Sequence, residues 1–220
     1  MRYSIDTDRI SLADLRKRIE ETDLIPSRQP LLDGIEQKFH ALESHGLVSF
    51  ECLRDELKSK KRIEALSIKT GICMEYLVLL RREIESYLPK PFQLAEFDWI
   101  PQIEIAKLAA AGIRNTADLY EALDSSTDTS SLEEKTGNDP AVLQDLIHLV
   151  ALTRVQWTSP TTARMCIEAS YETVEKLAHA QALELYTAIQ RVNEGGRYFK
   201  GQIGLRDIKR LIQAAGYLVE

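Results

Sequence analysis

The chain has 220 residues, of which 44% are hydrophobic, with seven prolines and ten glycines, an ordinary globular composition with room for a sizeable core. Its net charge of −6 is unevenly spread, because residues 1–90 sum to 0, residues 91–190 to −9 and residues 191–220 to +3. An acidic middle region disfavours nucleic-acid binding, which depends on Lys and Arg that neutralise phosphates.

Several protein classes are disfavoured by what the sequence lacks. Residues 1–6 have no apolar run of a signal peptide, and no window reaches the roughly eighteen apolar residues of a membrane span, so we expect a cytoplasmic protein without a membrane partner. The three cysteines, Cys52, Cys73 and Cys166, are far apart and predict reduced thiols. Nucleotide-binding, metal-binding and catalytic motifs are missing, so we expect no enzyme, no cofactor and no metal.

Apolar residues recur at helical spacing almost throughout the chain. Ser11 and Asp14 have the spacing of a capping box at the start of the first helix. Pro30 is expected to open a second helix that ends at Gly46 in a left-handed conformation, and Ser49 is expected to cap the next.

A block of the chain recurs 66 positions later without a gap. The residues Leu42, Gly46, Leu53, Leu57, Ser59, Leu66, Lys69, Thr70, Gly71, Leu77 and Leu80 correspond to Leu108, Gly112, Leu119, Leu123, Ser125, Leu132, Lys135, Thr136, Gly137, Leu143 and Leu146. A weaker third copy follows at an offset of 58 and carries Ser170 in place of the glycine. Such periodicity indicates one helical unit used more than once.

The remaining elements follow from local signals. The longest helices are predicted at 74–86 and 140–153, a surface loop at 124–131 and a final helix at about 206–215. Pro89 and Pro91 predict an extended connector, which divides the chain into residues 1–90, with the first repeat unit, and residues 91–220, with the second and third. We therefore expect an all-α protein of ten to thirteen helices with at most one short β-hairpin near residues 196–204.

Three stretches of the C-terminal half carry a family resemblance: residues 132–137 (LEEKTG), 154–164 and 168–177. Together they resemble the uncharacterised bacterial family named domain of unknown function 4332, over most of residues 95–215. The resemblance implies tandem helix-hairpin-helix-like units and leaves the activity open. Nucleic-acid-binding hairpins of this kind usually carry glycines that approach a phosphate, but the turns at 98–101 and 156–160 have none, so no phosphate-binding residues are carried over.

Two sets of residues are candidates for a functional site. A glycine-rich basic segment near the C-terminus resembles a nucleic-acid or anion surface, with positive charge beside aromatic rings, although it also suits a turn-rich connector. Its members are Arg197, Tyr198, Phe199, Lys200, Arg206, Lys209 and Arg210. Trp99 and Trp157 are either stacking platforms or plugs between helical units, and their repeat spacing favours the structural role.

The leading functional hypothesis is a non-catalytic helical binding or adaptor module, and the absence of hairpin glycines and the acidic middle favour a protein partner over nucleic acid. The alternative is sequence-independent nucleic-acid binding through the basic C-terminal segment. A third hypothesis, an enzyme without a recognisable motif, predicts a deep pocket with clustered titratable residues.

Overall fold

The computed structural model describes residues 3–123 and 129–219, and it confirms the all-α fold. Within these ranges there are two isolated β-bridges and no strand. The α-helices are α1 Leu12–Glu21, α2 Ile35–Ser44, α3 Phe50–Leu57, α4 Lys60–Thr70, α5 Met74–Ser86, α6 Gln102–Ala110, α7 Thr116–Ala122, α8 Ser130–Thr136, α9 Pro140–Leu152, α10 Pro160–Glu168, α11 Val174–Ala178, α12 Ala182–Val192 and α13 Leu205–Val219. Short 3-10 helices span Pro26–Leu32, Leu94–Glu96 and Glu194–Gly196.

The chain folds as two compact units. The N-terminal unit is Ile5–Leu88, and the C-terminal unit is formed by the described residues from Pro89 onward together with Tyr3 and Ser4. Each unit has its own cluster of buried leucines, isoleucines and aromatic residues. Among the described residues, none of the helices has both the length and the apolar character that crossing a membrane requires. Most of the loop predicted at 124–131 lies outside the described residues.

Local capping determines where the first helices begin. Ser11 Oγ accepts a hydrogen bond from the Asp14 N–H, and the Asp14 carboxylate accepts one from the Ser11 N–H, which confirms the predicted capping box. The prediction that Pro30 opens a helix is wrong, because Pro30 lies inside a 3-10 helix and α2 begins at Ile35. Gly34 takes a left-handed conformation with φ 57° between the two elements and so separates them.

The same turn closes α2, α6 and α10. Gly46, Gly112 and Ser170 have φ values of 86°, 87° and 69°, so all three lie in the left-handed region. In each turn, the residue after the left-handed position donates its N–H to the carbonyl of the residue five positions before it. These hydrogen bonds run from Leu47 to Leu42, from Ile113 to Leu108 and from Tyr171 to Cys166. Ser49, Asn115 and Thr173 then cap the next helices. The left-handed end predicted for Gly46 is therefore confirmed, and Gly112 and Ser170 end their helices in the same way.

Ser170 provides a stability test, because a side chain in the left-handed region costs about 1–2 kcal/mol whereas glycine pays mainly chain entropy. We expect Ser170→Gly to raise the free energy of unfolding by about 0.5–1 kcal/mol in urea denaturation. The reverse change, Gly112→Ser, should lower it by a similar amount. A Cβ at Gly112 would meet no atom within 4 Å, so this control tests the backbone conformation alone. Equal stability of both variants and the parent would contradict the argument.

The ends of the longer helices differ partly from expectation. Helix α5 has the predicted bounds, and α9 ends one residue before the predicted Thr153. The longest helix, however, is α13, with fifteen residues, where a shorter helix to Ala215 was expected. Gly216 lies within α13 instead of ending it, because Ala214 and Ala215 are buried and Leu218 continues the apolar face.

The segment between α12 and α13 contains no strand. Asn193 Oδ1 accepts hydrogen bonds from the N–H groups of Tyr198 and Phe199, both at 2.9 Å, and Asn193 Nδ2 donates to the Phe199 carbonyl at 2.7 Å. A single side chain thus satisfies backbone groups that would otherwise pair with a neighbouring strand. This arrangement holds the predicted site residues beside α10.

Candidate binding groove

A stack of aromatic rings and guanidinium groups connects Arg197 and Tyr198 with α10. Phe97 and Trp99 are stacked with ring centroids 5.4 Å apart and an interplanar angle of 10°. The Arg164 guanidinium lies 4.9 Å from the Trp99 ring and 4.8 Å from the Tyr198 ring, and Arg197 lies 4.6 Å from Tyr198. These contacts form a continuous series of aromatic and cation–π pairs, which we call the aromatic ladder.

Glu168 supplies the negative charge at the ladder. Its carboxylate accepts from Arg164 Nε and Arg197 Nη1, both at 3.3 Å, and from the Tyr198 hydroxyl. Partial burial and this hydrogen bond raise the pKa of Tyr198 above its ordinary value, in line with its hydroxyl being the donor in this contact. Arg197 and Tyr198 are therefore both engaged with Glu168.

On the other side of Tyr198 lies an open groove of about 460 Å³, which we call the C-terminal groove. Its floor is apolar and its rim carries two exposed rings, Trp157 and Phe199, whose residues are 44% and 47% exposed. The residues lining it are Trp157, Ser159, Thr161, Thr162, Met165, Ile189, Tyr198, Phe199, Gln202, Ile203, Asp207, Ile208, Arg210 and Leu211. The volume lies in the range of ligand pockets.

Trp157 has an unusual backbone for its size. Its φ is 65°, so the glycine-free turn at 156–160 places a tryptophan in the left-handed region. Such a conformation in a bulky residue costs of order 1–3 kcal/mol and persists where the surroundings impose it. The Arg210 guanidinium covers the indole at 4.0 Å from the ring centroid, which holds the ring at the groove rim.

Two polar side chains of the groove cap the helices that form its walls. Ser159 Oγ accepts from the Thr162 N–H at 3.1 Å and caps α10. Asp207 Oδ2 accepts from the Gly204 N–H at 2.9 Å and fixes the start of α13. The ionisable side chains in the lining are Tyr198, Asp207 and Arg210. In the part of the chain that the structure describes, no group of three His, Cys, Asp or Glu residues could hold a metal ion.

The structure brings together only some of the residues singled out in the sequence. Trp157, Tyr198, Phe199 and Arg210 line the groove. Lys200, Arg206 and Lys209 are exposed and lie outside its lining. Trp99 and Arg197 line a separate hollow with Asp98, Thr161, Arg164 and Tyr198.

The floor of the groove has no counterpart in the sequence-based candidates. Met165, Ile189, Ile208 and Leu211 come from three helices and are buried. Their apolar spacing within each helix marks them only as core positions.

Comparison with known protein families identifies the family of this chain. Residues 100–218, more than half of the 220, match the family model described as Domain of unknown function (DUF4332). This chain belongs to the DUF4332 family. All residues that line the C-terminal groove lie inside the DUF4332 region, and Trp99 precedes it by one position. Searches of the curated proteins and of the solved structures find no match.

Proposed function

We propose that the DUF4332 region is a non-catalytic binding module whose C-terminal groove docks a segment of another protein. The observation that supports this proposal most directly is the combination of a buried apolar floor with the exposed rings of Trp157 and Phe199. Aromatic residues and arginine over an apolar pocket are the side chains that dominate affinity at protein interfaces. Exposed apolar rings grouped at one cavity, as opposed to scattered single residues, mark interaction surfaces.

The same geometry favours a protein segment over nucleic acid. A phosphate backbone needs free cations, but Arg197 and the Tyr198 hydroxyl are already engaged with Glu168, and Asp207 adds a carboxylate to the groove. The other basic residues of the segment, Lys200, Arg206 and Lys209, lie outside the groove lining. We therefore treat nucleic-acid binding as one outcome of the test.

The proposal is tested by selecting displayed random peptides of about sixteen residues on the full-length protein. We expect peptides whose affinity falls at least about tenfold on Trp157→Ala, because truncating a central aromatic anchor typically has that effect. The control is Leu183→Ala, which truncates an apolar residue of α12 that is 66% exposed, more than Trp157, and lies outside the groove. Peptide affinity should be unchanged by this control.

Two results would contradict the proposal. One is a selection in which no peptide depends on Trp157. The other is binding of labelled single-stranded DNA or RNA that weakens steeply with salt and is lost in the Lys200→Glu, Arg206→Glu double variant, which would establish the nucleic-acid alternative.

A further inference from the structure

We infer that the segment docked in the C-terminal groove is acidic as well as apolar, with an apolar side chain between Trp157 and Phe199 and a carboxylate on Arg210. This inference rests on the proposed function and specifies the partner's chemistry. It follows from three observations: the state of Arg210, the charge around the groove and the position of Asp207.

Arg210 differs from the two arginines of the aromatic ladder. Arg164 and Arg197 both share the carboxylate of Glu168. Arg210 belongs to none of the ion pairs found among the described residues, and its Nε has no hydrogen-bond partner within them. The guanidinium instead lies over the Trp157 ring, with its carbon 4.0 Å from the ring centroid, and lines the groove.

A guanidinium in this position is suited to a carboxylate from outside. The N–H groups of a guanidinium lie in its own plane, so a carboxylate at the edge of that plane can accept two of them at once. At Arg210 these are the N–H groups of the two Nη atoms, because Nε is buried. Planar, bidentate recognition of carboxylates is the property that separates arginine from lysine. Arg164 and Arg197 each combine a contact to an aromatic ring with an ion pair to the Glu168 carboxylate. At Arg210, the docked partner supplies the corresponding carboxylate.

The surroundings of the groove have the complementary charge. Apart from Arg197, which is paired with Glu168, residues 197–210 contain four Lys or Arg and one Asp. Arg206, Lys209 and Arg210 stand at i, i+3 and i+4 on α13 and therefore share one side of the helix, and Arg210 also lines the groove. An acidic segment would be attracted to this side before it docks, whereas a basic one would be repelled.

Asp207 is the carboxylate in the groove lining, and its position leaves Arg210 available. Its Oδ2 accepts the Gly204 N–H at 2.9 Å, in the first turn of α13. The positive end of a helix stabilises a carboxylate placed there. The negative charge of Asp207 is thereby directed to the helix start, while Arg210 lies one turn further along and faces Trp157.

The test uses two synthetic helical peptides on the full-length protein, with binding followed by fluorescence anisotropy. Both carry Leu and Phe at the same positions of one face, and their other positions are Glu and Asp in one peptide and Lys and Arg in the other. We expect the acidic peptide to bind at least about tenfold more tightly than the basic one. Arg210→Leu should remove most of that preference, and Arg210→Glu should reverse it.

Lys209→Leu is the matched control, since it removes a neighbouring exposed cation of α13 that does not line the groove. It should change the affinity of the acidic peptide by no more than about twofold. Circular dichroism of each variant verifies that the fold is retained. Because Arg210→Glu is expected to gain affinity for the basic peptide, a loss of folding cannot imitate the expected result.

The outcomes separate this inference from the proposed function. Equal binding of both peptides with a strong effect of Trp157→Ala would overturn the acidic partner and leave the docking groove standing. Failure of both peptides, together with a selection that yields no Trp157-dependent binder, would overturn both. Concentration-dependent dimerisation that Trp157→Ala abolishes would show instead that a second copy of the chain occupies the groove.

Discussion

Replacing Tyr3 with alanine is expected to lower the free energy of unfolding of the C-terminal unit by about 3–5 kcal/mol, the range for truncating a buried aromatic residue. Tyr3 is only 2% exposed and belongs to the core of this unit. Its ring packs edge-on against Tyr120, with centroids 5.9 Å apart. Its hydroxyl accepts from Thr116 Oγ1 at 3.1 Å and lies 3.2 Å from Thr153 Oγ1.

The measurement is urea denaturation followed by tryptophan fluorescence. Both tryptophans, Trp99 and Trp157, lie in the C-terminal unit, so their emission reports on this unit alone. Tyr3→Phe is the control, because it keeps the ring and removes one hydroxyl, with an expected loss of about 1 kcal/mol. If Tyr3→Ala were as stable as the parent, the residue would not be part of this core.

The contacts of Tyr3 could not be predicted from the sequence. Helix starts at Ser11, Ser49 and Asn115 were predictable, because each depends on a cap within three residues of the groups that it bonds. The hydroxyl of Tyr3, in contrast, meets Thr153 across 150 positions of the chain. No local pattern marks such a contact, since only the completed fold brings the two residues together.

The C-terminal groove was also predictable only in part, since the sequence indicates some of its residues but not their contacts. Its members Trp157, Phe199 and Arg210 were predictable as candidates, because clustered aromatic rings and basic residues are typical of binding surfaces. The partner of the ladder, Glu168, is separated from Arg197 by 29 positions and resembles any other exposed carboxylate of a helix. Its pairing with Arg197 is what distinguishes an engaged arginine from Arg210, and that distinction depends on three-dimensional contacts.

The second large effect is expected at Asn138. The residue is 5% exposed, and its Nδ2 donates to Glu104 Oε2 at 2.7 Å and to the Glu104 carbonyl at 2.9 Å. Its Oδ1 has no partner among the described residues, so its contribution comes through Nδ2. These bonds join the turn before α9 to α6. In the first copy, 66 positions earlier, the buried Ile72 occupies the equivalent place, so the repeat does not predict the polar contact.

Asn138→Ala should therefore lower the free energy of unfolding by about 1–3 kcal/mol, because it leaves a buried carboxylate with fewer donors. Urea denaturation followed by tryptophan fluorescence measures the loss. In a Glu104→Gln background the same substitution should have a smaller effect, since the charged acceptor is already gone. An undiminished effect in that background would mean that Asn138 acts through packing and not through Glu104.

Glu104 makes the same contact sensitive to acid. A hydrogen bond from Lys107 and a second from the Asp139 N–H lower the pKa of Glu104 from its ordinary 4.5 to about 2. A carboxyl group whose pKa is lower in the folded state contributes stability above its unfolded pKa and loses it as the pH falls. The contribution is therefore complete at neutral pH and declines between about pH 4.5 and pH 2. Urea denaturation across this window should show a shallower decline for Glu104→Gln than for the parent, and parallel curves would contradict the assigned role of Glu104.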